Sequence, residues 1–220
     1  INTGAFTEKE IEVLEERAKA CGVASYICMD VRKAYYDECI KFLVYGNVLK
    51  NGVYPLSVSA ERIIQAKSIA EYAKKLNINT IAHGSTGAGN DQVRFDMIFT
   101  HVLPQVKIIT PIRDNKLSRE EEIAFLQSKG IDYAPEKATY SINKGIWGTS
   151  VGGKETLNSF QNLPENAWPT PITATELQNI TLYFEEGEIL KVNDIHFEHP
   201  VEAIEYLQNI AQPYGIGRNV

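Results

Sequence analysis

His83-Gly84-Ser85-Thr86-Gly87-Ala88-Gly89-Asn90-Asp91-Gln92-Val93-Arg94-Phe95 is the stretch on which the reading of this chain turns. It follows Thr80-Ile81-Ala82, a short apolar run that reads as a buried strand. It leads into Val93, Phe95, Met97 and Ile98, whose spacing is that of a helix face. Glycines between a strand and a helix permit tight backbone turns and leave main-chain N–H groups free to face a ligand. Asn90 or Asp91 is then placed to cap the helix, whose amino end attracts anions. The expectation is an α/β domain with an anion-binding loop at the carboxyl end of a strand.

Glycine spacing alone does not decide the ligand. No Gly-Lys-Ser/Thr follows, so the loop is not a Walker A motif. Glycines at 84, 87 and 89 also miss the dinucleotide spacing. A plain βα turn accounts for them equally well. Thr86, Asn90, Asp91, Gln92 and Arg94 add a dense set of donors and acceptors suited to an amino-acid zwitterion.

Working outward, Thr7 and Glu10 predict a capping box on a helix from about Glu8 to Ala20, stopped at Gly22. Val23 to Met29 reads as a strand and Lys33 to Val44 as a helix. Ser59 to Leu76 reads as a long helix with Ile63, Ile64, Ala66, Ile69, Ala70 and Ala73 as its buried face. The helix after the glycine loop runs to about Val102. A strand at Val106 to Thr110 and a helix from Arg119 to Ser128 follow. Alternation of this kind implies a mostly parallel sheet covered by helices, with both Gly4 and Gly84 at carboxyl ends of strands. After about Glu136 proline, serine and glycine thicken and helical periodicity fades. A hairpin is expected within residues 180–192, and a final helix from about Val201 to Ile210. The domain boundary is placed near residue 137, giving domains 1–137 and 138–220.

A net charge of −6 argues against a general polyanion-binding surface, and so against a nucleic-acid partner. No apolar run approaches the roughly 20 residues that span a bilayer. Cys21, Cys28 and Cys39 lack a C-x-x-C pair and fit reduced thiols better than a disulfide framework. His196 and His199 sit in a polar stretch ending at Pro200 and read as loop rather than metal ligands, so no metal site is assigned.

The glycine stretch resembles the signature of the argininosuccinate synthases. Three further blocks resemble that family in the same order: Tyr54-Pro55-Leu56-Ser57-Val58-Ser59-Ala60-Glu61-Arg62, residues Tyr140 to Ser150, and Tyr214-Gly215-Ile216-Gly217-Arg218. The resemblance covers roughly residues 1 to 218. It implies an α/β nucleotide-binding domain of the ATP-pyrophosphatase, HUP-like type, followed by the start of a second, α+β synthetase domain. It also implies ATP-dependent condensation of citrulline with aspartate through a citrulline adenylate, giving argininosuccinate, AMP and pyrophosphate. Mg2+ is expected with the ATP, and a cytoplasmic homotetramer as the assembly.

Residue by residue, the resemblance puts Gly84 against ATP and Thr86, Asn90 and Asp91 on aspartate. Tyr54, Ser59, Asn90, Arg94, Ser141 and Ser150 fall on citrulline, with Arg94 on its α-carboxylate. Arg62 is a further candidate contact for phosphate or carboxylate. Each has an ordinary competitor: Asp91 and Arg94 at i,i+3 also make a helix-surface pair worth about 0.2–0.5 kcal/mol. Arg62 with Glu61 also fits a solvated helix face, and Ser141 and Ser150 fit turns. Trp147 reads as core. Ala88 stands where many family members carry lysine, which would shift charge recognition to Arg94, Arg62 or segments outside this sequence. The family's SGGLDTS phosphate loop does not occur in the sequence, so the chain is expected to be an interior piece of a longer enzyme. The alternative is a non-catalytic amino-acid-binding or regulatory protein without the ATP loop.

Overall fold

The computed structural model describes residues 1–131, 140–153, 155–158 and 160–218. They pack as two compact units, Ile1–Ala60 with Tyr140–Val220, and Glu61–Thr139. The boundary expected near residue 137 lies outside the described residues.

In the second unit, the part of helix α4 (Ser57–Lys75) beyond Ala60 supplies Ala66, Ala70 and Ala73 to a core completed by Ile81 and Phe99. The three alanines recur at helical spacing, and their small side chains let the helix backbone approach the sheet. Strand β1 (Thr80–Ala82) pairs in parallel with β2 (Lys107–Ile109), register Ile81 to Ile108. Between them runs α5 (Asp91–Val102), whose Phe95 and Phe99 rings stack at 5.9 Å. Short helix α6 (Pro111–Asn115) follows β2, and α7 (Arg119–Ser128) is capped by Ser118 and Glu121 in a reciprocal box. This is the parallel α/β unit expected from the sequence.

In the first unit, α1 (Glu8–Ala20) carries the Thr7–Glu10 capping box and ends at Gly22 with φ +79°. Residues 23–29 do not form the expected strand. The only ladder contact there is a parallel bridge between Asn2 and Asp30, with Asn2 N–H donating to Met29 O at 2.8 Å. A strand is defined by its partner, and among the described residues Asn2 alone provides one. Val23 and Ile27 accordingly stay exposed.

The helix expected over 33–44 is present but interrupted. It runs as α2 (Arg32–Tyr35), a π-helical stretch (Tyr36–Ile40) and α3 (Lys41–Tyr45). The π stretch turns Tyr36 and Ile40 into the core together with Tyr35. Gly4 is the glycine that packing requires. Its φ is +96°, and a Cβ there would lie 3.0 Å from Ile146 N.

The later part of this unit is antiparallel. Strands β3 (Ser141–Gly145) and β4 (Gly148–Gly152) form a hairpin not anticipated from the sequence. The expected hairpin is β5 (Leu182–Glu185) and β6 (Glu188–Val192). Its turn residues Glu186 and Gly187 both have positive φ, which matches the right-handed twist of the strands. β7 (Ile195–His196) adds a third strand, and α8 (Pro200–Ala211) packs on β6 through Ile189, Val192 and Ala203. His199 caps α8, its Nδ1 accepting from Val201 N at 3.2 Å. His196 sits in β7 rather than in a loop. No helix among the described residues is long and apolar enough to cross a membrane.

Candidate functional site

The glycine loop leaves β1 at the carboxyl end of the parallel pair. His83 extends the pairing by one bond, its N–H donating to Ile109 O at 3.0 Å. The loops after β1 and β2 therefore emerge side by side, at the end where ligands bind in open α/β sheets. Gly84, Thr86, Gly87, Ala88, Gly89 and Asn90 are exposed. A side chain added at Gly84 or Gly89 would meet nothing within 4 Å, so the surface of the loop is open to a ligand.

Gln92 of α5 and Thr86 of the loop itself fix the loop. Gln92 Nε2 donates to Gly87 O at 2.6 Å and to Gly89 O at 3.4 Å, and Thr86 Oγ1 donates to Ala88 O at 3.1 Å. Asn90 occupies the cap position of α5, but its side chain makes no capping bond. Its backbone (φ −105°, ψ −10°) is already near-helical, which points the amide away from the free N–H groups of the first turn. Asp91 does not cap either. Its Oδ1 accepts from Arg94 at 2.8 Å and its Oδ2 from Arg62 Nε at 3.1 Å.

That carboxylate thus bridges two guanidinium groups. Arg62 also reaches Glu61 at 2.9 Å and Gln65 Oε1 at 3.1 Å, and Glu61 is only 5% exposed. A buried carboxylate demands such a partner. Arg62 is therefore engaged with protein carboxylates, not a solvated helix face, while Asp91 and Arg94 do make the i,i+3 pair. Among the described residues no group of three or more His, Cys, Asp or Glu is arranged to hold a metal ion.

The other sequence-predicted residues lie in the first unit. Tyr54 Oη accepts from Val58 N at 3.0 Å, which anchors the ring at the start of α4. Ser141 and Ser150 fall on one face of the β3–β4 hairpin, because Asn143 pairs with Ser150 and Ser141 lies two residues before Asn143. Trp147, in the hairpin turn, donates from Nε1 to Pro55 O at 2.9 Å. That bond brings two blocks 92 residues apart into contact. Tyr54, Ser57, Trp147 and Ser150 consequently line one cavity of about 1050 Å³. Ser59 and Ser141 do not line it. Trp147 is half-buried, as a core residue with a polar handle should be.

Sequence reasoning passed over His83, Asp96, Thr110 and Arg113, which lie beneath the loop. The neighbouring Asp114 carboxyl is held below its ordinary range, chiefly by the hydrogen bond from Thr110 Oγ1. His83 adjoins the glycines and was open to notice. Arg113 carries no local signal, since only the β1–β2 pairing brings it there.

Residues 1–132 match the family model described as the arginosuccinate synthase N-terminal HUP domain. The chain belongs to the argininosuccinate synthase family. It is 36% identical over 214 residues to the argininosuccinate synthase of Methanocaldococcus jannaschii, covering 96% of this chain and 54% of that protein. The corresponding protein of Sulfurisphaera tokodaii is 34% identical, covering 94% of this chain and 53% of its own length. That of Dictyoglomus thermophilum is 33% identical with the same coverage. The chain spans about half the length of these family members. The family match also fixes the fold class, since the HUP domain is an α/β nucleotide-binding fold and β1 and β2 are its parallel strands.

Proposed function

We propose that this chain is the portion of an argininosuccinate synthase that holds aspartate and citrulline and receives ATP on its glycine loop. In this reading residues 1–137 form the nucleotide-binding domain and 138–220 part of the synthetase domain. The observation that carries the proposal is the open glycine loop at the carboxyl end of β1, followed at once by Asn90, Asp91 and Arg94 on α5.

The chemistry asks the protein mainly to position groups and to stabilise charge. The ureido oxygen of citrulline attacks the α-phosphorus of ATP and pyrophosphate leaves. The α-amine of aspartate then displaces AMP. Gly84 permits close approach of the nucleotide. Thr86 and Asn90 offer a hydroxyl and an amide to the carboxylates of aspartate, and Asp91 accepts from its ammonium. Arg94 takes the α-carboxylate of citrulline, helped by Asn90, Tyr54, Ser59, Ser141 and Ser150. Arg62, which holds the Asp91 carboxylate, is a further contact for phosphate or carboxylate. Mg2+ is expected with the ATP, although the described residues supply no cluster of three such side chains for it. A cytoplasmic homotetramer is the assembly this reading carries.

The test is release of pyrophosphate by the full-length enzyme, of which this chain is expected to be an interior piece, with ATP and citrulline, and formation of argininosuccinate when aspartate is added. Pyrophosphate release that depends on citrulline is the expected result. Binding of aspartate or citrulline with no pyrophosphate under any substrate combination would instead identify a non-catalytic amino-acid-binding protein.

A further inference from the structure

His83 Nδ1 lies 3.3 Å from Ser85 N, which donates to it, so Nδ1 of the neutral ring must carry a lone pair. The ring proton is therefore on Nε2, 3.0 Å from Asp96 Oδ1. The second oxygen of that carboxylate accepts from Arg113 Nη1 at 2.7 Å. Arg113 in turn donates from Nε to Thr110 Oγ1 at 3.2 Å. Thr110 is 1% exposed and donates to Asp114 Oδ1 at 2.6 Å.

A second route reaches the same arginine. Arg113 Nη1 also stands 3.4 Å from Gln92 Oε1, whose amide nitrogen holds the carbonyls of Gly87 and Gly89. The loop is thus gripped at Ser85, Gly87 and Gly89, and both grips converge on one guanidinium supplied by α6, which follows β2. The His83 ring is itself wedged against Phe95 and Phe99 at 5.6 and 6.1 Å.

We infer that His83, Asp96 and Arg113 form a positioning relay that presets the shape of the glycine loop for its ligand. None of the three needs to touch substrate. The relay orients one backbone N–H inward, at Ser85. A planar guanidinium suits this place because it serves Asp96, Gln92 and Thr110 at once in a fixed fork, which an ammonium cannot do. The relay's consequence for catalysis rests on the proposed function, but its geometry does not.

Nitrogen chemical shifts of His83 and hydrogen exchange at the Ser85 amide test the relay in the full protein. Wild type should show the Nε2-protonated tautomer. Arg113→Ala should speed exchange at Ser85 by about tenfold or more while Ile81 in β1 is unchanged. Arg113→Lys should fall between the two. Asp96→Asn keeps the shape of the side chain and covers a failure of Arg113→Ala to fold. In the activity assay the KM of loop-bound substrates should rise more than kcat falls. A His83 proton on Nδ1, or Ser85 exchange indifferent to both Arg113→Ala and Asp96→Asn, overturns the relay. Should wild type bind neither aspartate nor ATP while Ser85 responds as described, the proposed function falls and the relay stands.

Discussion

At the scale of single residues, Arg94 is the side chain on which the citrulline assignment depends. In the structure its guanidinium rests on Asp91. Under the proposed function it exchanges that contact for a substrate carboxylate, so Arg94→Ala removes a charged hydrogen bond worth about 1.5–3 kcal/mol. The KM for citrulline should therefore rise roughly tenfold to 150-fold in a pyrophosphate-release assay. An unchanged KM would sink the assignment. Asp91 and Arg94 were legible in the sequence because polar groups at a helix start, beside glycines, are displayed by local geometry. Arg113 was illegible because its neighbours are 17 and 21 positions away, at Asp96 and Gln92, and only sheet pairing unites them. Arg62 was half legible: it was singled out together with Glu61, but not with Asp91, the second carboxylate that claims it.

At the scale of elements, α1 followed from its ends. Thr7 and Glu10 satisfy each other's backbone N–H groups, and α1 buries no residue fully, so the cap matters more there than packing. Thr7→Ala should destabilise the unit by about 1 kcal/mol, seen as a lower denaturation midpoint and as lost helical signal. A midpoint equal to wild type would show that α1 contributes nothing to the cooperative unit. Strands were harder to read. Residues 23–29 have a strand's composition but no ladder, because pairing is a property of two segments. The β3–β4 hairpin has the opposite history. Its turn, Ile146-Trp147, lacks the Asn-Gly type of signal, and Ile146 is buried rather than polar. Glu186-Gly187 shows what a readable turn looks like.

At the scale of the whole molecule, the α/β class was legible from alternation, whereas the grouping of residues 1–60 with 140–220 was not. That grouping depends on long-range contacts such as Trp147 to Pro55 and Ile146 to Thr3. Carboxylates matter in both units. Glu10 and Glu121 are lowered first by the backbone N–H of their caps, Asp114 by Thr110, Asp30 by the Arg32 guanidinium and Glu202 by Lys33. A carboxyl whose folded value is depressed contributes stability above its unfolded value, near pH 4, and loses it as pH falls through the folded one. Denaturation midpoints should accordingly be flat from pH 7 to about 5 and fall steadily below about 4. A midpoint that rises on acidification would contradict these partners.

The partners of α8 carry one more implication. Arg32 holds Glu205, Lys33 holds Glu202 and His199 faces Asp37, at 2.7, 2.9 and 3.5 Å. These side chains are partly exposed, so dissolved ions screen them over a Debye length of about 10 Å at 0.1 M. Two stretches of chain 173 positions apart at Arg32 and Glu205 are in this way fastened by a clasp that brine loosens. A protein cut between them would keep these ion pairs in dilute buffer and weaken them in concentrated salt, leaving contacts such as Trp147 to Pro55 and Ile146 to Thr3 to hold the two stretches together.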